Sequence, residues 1–455
     1  MSETARRLVL MLAIAVVIRG SFALGAWLVT KDRTVFHVPD TGSYLAPARD
    51  LLAHGTFTRD GRPELARTPG YPLLLVPGIW LGSVEATTIA LQIVLSALTV
   101  AGVFVLARLV FNDGPVALLA AGLYAVDPLS AIYTTILVSE TLFTAVVVWS
   151  LVLIVAYVRG GRLTTLVGGM ALLAASAYVR PAGYFLPLCL VALLGGYAAF
   201  ERRWSMLRHL AVALAAAAAV VAPWQVRNRA LGFRGMSAIS AENVYFYDAA
   251  SLRAARSHTS LEAAQAAMGY HNDSVYLAVH PEQRTWRPGE RFQFMADEGG
   301  GEVQANLLRY ARIHLAGMAL VLLSPGTHEV LRLYGLPPVP GGFRDRIDAE
   351  GLGNGLLHLW QSNAVALGLV SVLLLGLIAL YALALRGLAA GGRRPDLATL
   401  LLVASAAYFV VIAGGPVGES RFRHPLMPFV CVLAATGIAA KARTLPNQNS
   451  IAPRS

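Results

Sequence analysis

The chain has 455 residues, is 56% hydrophobic and only 14% charged, and has a mean hydropathy of +0.58. That balance lies outside the range of soluble globular domains and marks an integral membrane protein. The net charge of +11 is distributed over short loops between apolar runs, so it reads as topological and phosphate-directed and gives no reason to expect a nucleic-acid partner.

The first apolar run, residues 8–29, follows Arg6 and Arg7 and is too long for a signal-peptide core, which predicts a retained signal anchor. Crossing a bilayer takes about 20 apolar residues. Further spans are expected near 84–107, 114–132, 136–158, 163–179, 182–200, 210–226, 357–385, 397–414 and 425–440, ten in all with the first. The fold class is thus an all-α integral membrane protein. Arg108, the pair Arg159 and Arg162, the basic runs at 201–209 and 386–394, and Lys441 with Arg443 fall on one side of this arrangement, which predicts cytoplasmic termini. Two polar insertions, 30–83 and 227–356, then lie on the opposite side. The organisation reads as an N-terminal membrane module (1–226), a loop or lid region (227–356), and C-terminal helices with a tail (357–455). Cys189 and Cys431 sit in apolar segments, which excludes a disulfide framework.

In the first insertion, "YLAPARDLL" places Tyr44, Leu45, Ala48, Leu51 and Leu52 on one face, behind a Ser43 cap and with Pro47 in the first turn, which predicts a helix lying on the membrane surface. In "RTPGYPLLL" two prolines are expected to delay any helix until Leu73 and to fix a bent re-entry beside Arg67. In the second, residues 302–323 read as an amphipathic, interfacial helix. No internal repeat is visible, against the pattern of many transporters.

Charged groups near a membrane are expensive and are therefore functional candidates. Asp40, Arg67, Asp127, Glu140, Arg180, Arg227, Arg229, Glu419, Arg421, Arg423 and His424 all fall at the same ends of different spans, where one cavity can gather them. Arg180, Arg227, Arg421 and Arg423 are the phosphate-binding candidates, because guanidinium stays charged and grips two oxygens at once. The plain alternative for any one of them is snorkelling to lipid headgroups or capping a helix. Asp40 is the candidate general base, kept ionised by nearby arginines, against the plain alternative of a helix-capping turn. Arg67, Tyr71, Glu140 and His424 are candidate substrate-positioning residues, with a Glu140–Arg180 structural pair as the alternative for Glu140. His37, Asp40, His271, Asp273 and His424 lack the tight spacing of a metal motif, so no metal ligand and no cofactor is assigned and a divalent metal is left open.

The stretches "PDTGSYLAPARDLLAHGTF", "RTPGYPLLL", "LVSETLF", "YVRPAGYFLP", "PWQVRNRALGF" and "ESRFRHPLMPF", in this order, resemble the GT-C superfamily of membrane glycosyltransferases. The resemblance is to the bacterial group related to protein O-mannosyltransferases and to the lipid A aminoarabinose transferases. It implies an inverting transfer of a sugar from a polyprenyl-phosphate donor to a hydroxyl of a glycan, lipid or protein, on the periplasmic or outer face of a bacterial plasma membrane. It also implies Asp40 at the reacting centre and Arg180, Arg227 and Arg421 on the lipid phosphate. Two positions depart from the family: Asp40 is followed by Thr41 instead of a second acid, and Arg67, Thr68 and Pro69 stand where the lipid A enzymes carry Glu-Lys-Pro. Neither family activity is therefore carried over. The rivals are a transporter or flippase of lipid-linked sugars, and a non-catalytic scaffold.

Overall fold

The computed structural model describes residues 2–337, 351–390 and 395–444. Its N-terminal half runs α1 (Glu3–Thr30), α2 (Thr41–His54), α3 (Gly70–Trp80), α4 (Val84–Phe111), α5 (Gly114–Ala125), α6 (Pro128–Thr135), α7 (Glu140–Gly160), α8 (Leu163–Ala175), α9 (Leu186–Phe200) and α10 (Trp204–Ala230). The second insertion holds α11 (Ala238–Asn243), a π-helical turn (Val244–Ala249), α12 (Ala250–Ser257), α13 (Leu261–Ala267), α14 (Asp273–Val279), α15 (Pro288–Ala305), α16 (Leu307–Leu323) and α17 (Thr327–Leu333). Three further helices follow, α18 (Leu352–Ala390), α19 (Leu397–Ile412) and α20 (Met427–Thr444).

Among the described residues, seven helical segments are long and apolar enough to cross a membrane, and up to nine if two bent pairs each count once. Seven of the ten expected spans correspond to these. The expected span at 114–132 is instead a pair, α5 and α6, bent by 50°. Pro128 opens α6 and the Asp127 carboxylate caps it by accepting from Ser130 N at 2.7 Å, which favours a new start over continuation. The break frees the carbonyls of Tyr124 and Ala125, and Arg19 of α1, fully buried, donates to both and to Ser130 Oγ. A lone cation inside an apolar helix is thus spent on helix ends. The helix expected at 163–179 is regular only to Ala175, and α19 has 16 residues.

Three local expectations change. Helix α2 starts at Thr41, so Ser43 does not cap it and Pro47 lies in its second turn. Tyr44, Leu45 and Ala48 are buried in a cluster with Tyr71, Leu75 and Ile89, so this stripe is a packing face within the protein. Helix α3 begins at Gly70, since Pro72 sits in the first turn, where its missing N–H costs no hydrogen bond. The single helix expected over 302–323 is divided, since α15 ends at Ala305 and α16 begins at Leu307, and α16 with α17 forms the second bent pair, at 55°.

The first insertion is pinned from several sides. Thr58–Arg59 pairs with Arg62–Pro63 across Asp60 and Gly61, both with positive φ (53° and 73°), the turn that Asp-Gly favours. Glu64 then accepts from the backbone N–H of Ala66 and Arg67 at 2.6 and 2.9 Å and pairs with Arg59. Arg332 of α17 donates to the carbonyls of Val35 and His37, both at 2.7 Å, holding the approach to Asp40.

Candidate active site

The Asp40 side chain makes no cap bond to α2. Its Oδ1 accepts from Arg67 Nη2 and its Oδ2 from Arg421 Nη1, each at 2.7 Å. Burial pushes this carboxyl up, but the charges of Arg67 and Arg421 and their hydrogen bonds outweigh it, and it is held below its ordinary value.

Arg67 is held at each of its three nitrogens: Nε donates to Ser43 Oγ at 2.8 Å, Nη1 to Tyr44 OH at 3.2 Å, and Nη2 to Asp40. The guanidinium also lies over the Tyr44 ring, 4.3 Å from its centroid. Tyr44 OH meets Ser139 Oγ at 3.3 Å, and Ser139 accepts from Arg180 Nη1 at 3.2 Å. Arg180 forms an ion pair with Glu140, the first residue of α7, whose side chain is almost fully buried. Arg421 completes the row by pairing through Nε with Glu419 at 2.8 Å. Three arginines, Arg67, Arg180 and Arg421, thus face three carboxylates, Asp40, Glu140 and Glu419, in one continuous polar network. Close backbone approach brings the carriers together: a Cβ on Gly70 would lie 2.7 Å from the Tyr178 carbonyl, and one on Gly317 would overlap the carbonyl of Gly415.

The remaining candidates stand elsewhere. Arg423 is buried, and its Nη1 donates to the carbonyls of Val321, Leu322 and Ser324, closing the end of α16. His424 is buried, with Nδ1 2.7 Å from Thr144 Oγ1 and its ring edge-on to Tyr133. Tyr71 OH donates to Gln92 at 3.0 Å and its ring packs edge-on against Tyr44, 5.0 Å between centroids. Arg227 donates to Asn228 Oδ1 at 2.8 Å and lies over Trp224, with the Phe57 carbonyl at 3.5 Å, and has no bond to the Asp40 network. Among the described residues, no three His, Cys, Asp or Glu side chains converge as metal ligands. Sequence reasoning passed over Tyr44 and Ser139, the two hydroxyls that join the ion pairs, and Arg332; nothing in their local sequence distinguishes them. Arg19 did carry a signal, a lone charge within an apolar run.

Residues 67–226 match the family described as dolichyl-phosphate-mannose-protein mannosyltransferase. No curated protein matches the sequence. Among solved structures, the chain is similar to the archaeal oligosaccharyltransferase AglB from Archaeoglobus fulgidus in complex with an inhibitory peptide and a dolichol-phosphate (13% identity, TM-score 0.53, covering 98% of this chain and 52% of that one). The apo form of the oligosaccharyltransferase from that organism gives 15% identity and TM-score 0.53, with 95% and 50% coverage. ArnT from Cupriavidus metallidurans bound to undecaprenyl phosphate is a weaker structural match (16% identity, TM-score 0.42, 97% and 79% coverage). The chain spans about half the length of the oligosaccharyltransferases, and at these identities the likeness is one of fold. The chain is thus a multi-pass helical protein with the fold of these membrane glycosyltransferases, and its segment 67–226 is similar to the protein mannosyltransferase family.

Proposed function

We propose that the chain transfers a sugar from a polyprenyl-phosphate donor to an acceptor hydroxyl at the end of the helical bundle that carries the two insertions, the periplasmic or exterior face of a bacterial plasma membrane. The observation that carries this reading is Asp40, a carboxylate kept ionised between Arg67 and Arg421. An ionised acid beside cations suits a reaction in which one group must accept a proton while another carries a phosphate away.

In the proposed step the acceptor O–H gives its proton to Asp40 and its oxygen bonds to the anomeric carbon from the face opposite the phosphate. The bond from that carbon to the phosphate oxygen breaks, and the electron pair leaves on the polyprenyl phosphate. Backside attack inverts the anomeric centre. Arg421 and Arg180 are assigned to the departing phosphate, whose growing charge a guanidinium fork stabilises. Arg67 orients Asp40. Arg227 is assigned to the phosphate only as an outer contact, and Arg423 and His424 to support of the segment that carries Arg421.

Both oxygens of Asp40 accept from arginines, Oδ1 from Arg67 and Oδ2 from Arg421. A phosphate that competes for Arg421 releases Oδ2, so donor binding is proposed to precede deprotonation of the acceptor. The test is transfer or release of sugar from a panel of polyprenyl-phosphate sugars by the purified chain. Turnover of at least one donor is expected; tight binding of several donors with no release of sugar would contradict the enzyme reading and favour a lipid-linked sugar transporter.

A further inference from the structure

Arg227 and Arg229 both close α10, but two residues on a helix lie about 200° apart around its axis. They face different surroundings. Arg227 turns to Phe57 of the first insertion, whereas Arg229 lines a cavity of about 340 Å³ together with Arg234. Tyr184, Phe185, Phe233 and Met236 supply apolar walls, and no acid lines the cavity. Among the described residues neither guanidinium has a hydrogen-bond or ion-pair partner; Arg234 is held only through its backbone N–H, which donates to Gln293 Oε1 at 2.9 Å. This contrasts with Arg67, Arg180 and Arg421, each already matched to a carboxylate.

The cavity lies where two membrane-crossing helices, Pro181–Phe200 and Trp204–Ala230, meet the second insertion. Phe185, which lines the cavity and is 51% exposed on the first of those helices, gives it an apolar, exposed flank. Two cations without a carboxylate partner, apolar walls and an exposed apolar flank on a membrane-crossing helix point to one chemistry. We propose that this cavity binds the phosphate of a membrane lipid, at a site beside the Asp40 network and distinct from it. Each guanidinium can hold two phosphate oxygens, and the apolar walls cover the first carbons of the chain. The two sites share a partition: Pro181, which lines the cavity, follows Arg180, and the hydroxyl of Ser237, also in the lining, donates to the carbonyl of Ala66, next to Arg67. Two lipids offer the same phosphate chemistry, an anionic phospholipid of the bilayer and a polyprenyl phosphate.

The test is lipid binding by the full chain in neutral detergent, with bound lipids counted by native mass spectrometry. The probes are a polyprenyl phosphate, phosphatidylglycerol, and phosphatidylcholine as the zwitterionic control. In the double variant Arg229→Gln/Arg234→Gln, affinity for one phosphate lipid is expected to fall about tenfold or more, the size of one or two lost charged hydrogen bonds. Arg229→Lys/Arg234→Lys, which keeps the charge but loses the two-pronged grip, is expected to bind between the wild type and the glutamine variant, and phosphatidylcholine binding to be unchanged. A loss confined to phosphatidylglycerol identifies a bilayer lipid, and a loss confined to polyprenyl phosphate identifies the carrier lipid. Undiminished binding of both by the glutamine variant overturns the proposal. Because both side chains are exposed, the variant should melt with the wild type, which separates lost binding from lost folding.

Discussion

Arg421 and Asp40, 381 positions apart in the chain, meet through Nη1 and Oδ2 at 2.7 Å. The same guanidinium reaches Glu419 through Nε, so it is shared between two acids. Replacing it removes one of the two cations that hold Asp40 below its ordinary value. For Arg421→Gln the Asp40 carboxyl rises, so the acid limb of the activity profile should move to higher pH. Turnover should fall about a hundredfold, the usual scale for a lost charge-stabilising donor. A pH–rate profile of the variant checks both; an unmoved acid limb would separate Arg421 from Asp40.

Glu140 and Arg180 make an asymmetric pair, with side chains 2% and 18% exposed. Removing the cation strands a buried carboxylate, whereas Glu140→Gln leaves a neutral amide. Arg180→Ala should therefore destabilise the protein by about 3 kcal/mol and Glu140→Gln by clearly less, with the double variant recovering part of the loss. Thermal melts in detergent measure the three.

Arg423 serves the carbonyls that end α16. Arg423→Gln leaves these carbonyls, buried at Val321 and half-buried at Leu322 and Ser324, short of donors, at a cost of about 2 kcal/mol, and affinity for the sugar donor should stay close to wild type. A donor titration beside a melting curve distinguishes this supporting role from a phosphate contact.

Much of the fold was legible because an apolar run of twenty residues has few alternatives in a membrane. Local turn chemistry sets the start of α3, whereas the break within 114–132 depends on a distant partner. Asp127 with Pro128 is a helix start, yet the apolar pattern runs straight through it from 114 to 132, and only Arg19 on another helix makes the break affordable. At the site, Asp40, Arg67, Glu140, Arg180 and Arg421 announce themselves as charges beside apolar segments. Arg423 carries the same signal and does a different job, because the chain records that a cation is present and not which way the backbone turns it.

Asp248 lies in the π-helical turn, with its carboxylate 3.4 Å from the position a Cβ on Gly415 would take, in the loop leading to Arg421. Burial raises its carboxyl to about 6, against a lowering hydrogen bond with Tyr310. The unfolded chain releases this proton near pH 4, so the native state binds more protons between pH 4 and 6 and stability falls as pH rises through that window, levelling above it. Asp248→Asn removes this contribution. Melting temperatures of the two proteins across pH 4 to 7 should diverge in slope only below about pH 6; parallel curves would contradict the assignment.

Asp40 is proposed to take the acceptor's proton. The measurement is turnover of a polyprenyl-phosphate sugar by wild type and Asp40→Asn, with donor binding measured on the same preparations. For Asp40→Asn the rate is expected to be lower by about a hundred- to ten-thousandfold with donor binding retained, the range of a lost general base. Wild-type turnover by Asp40→Asn would contradict it.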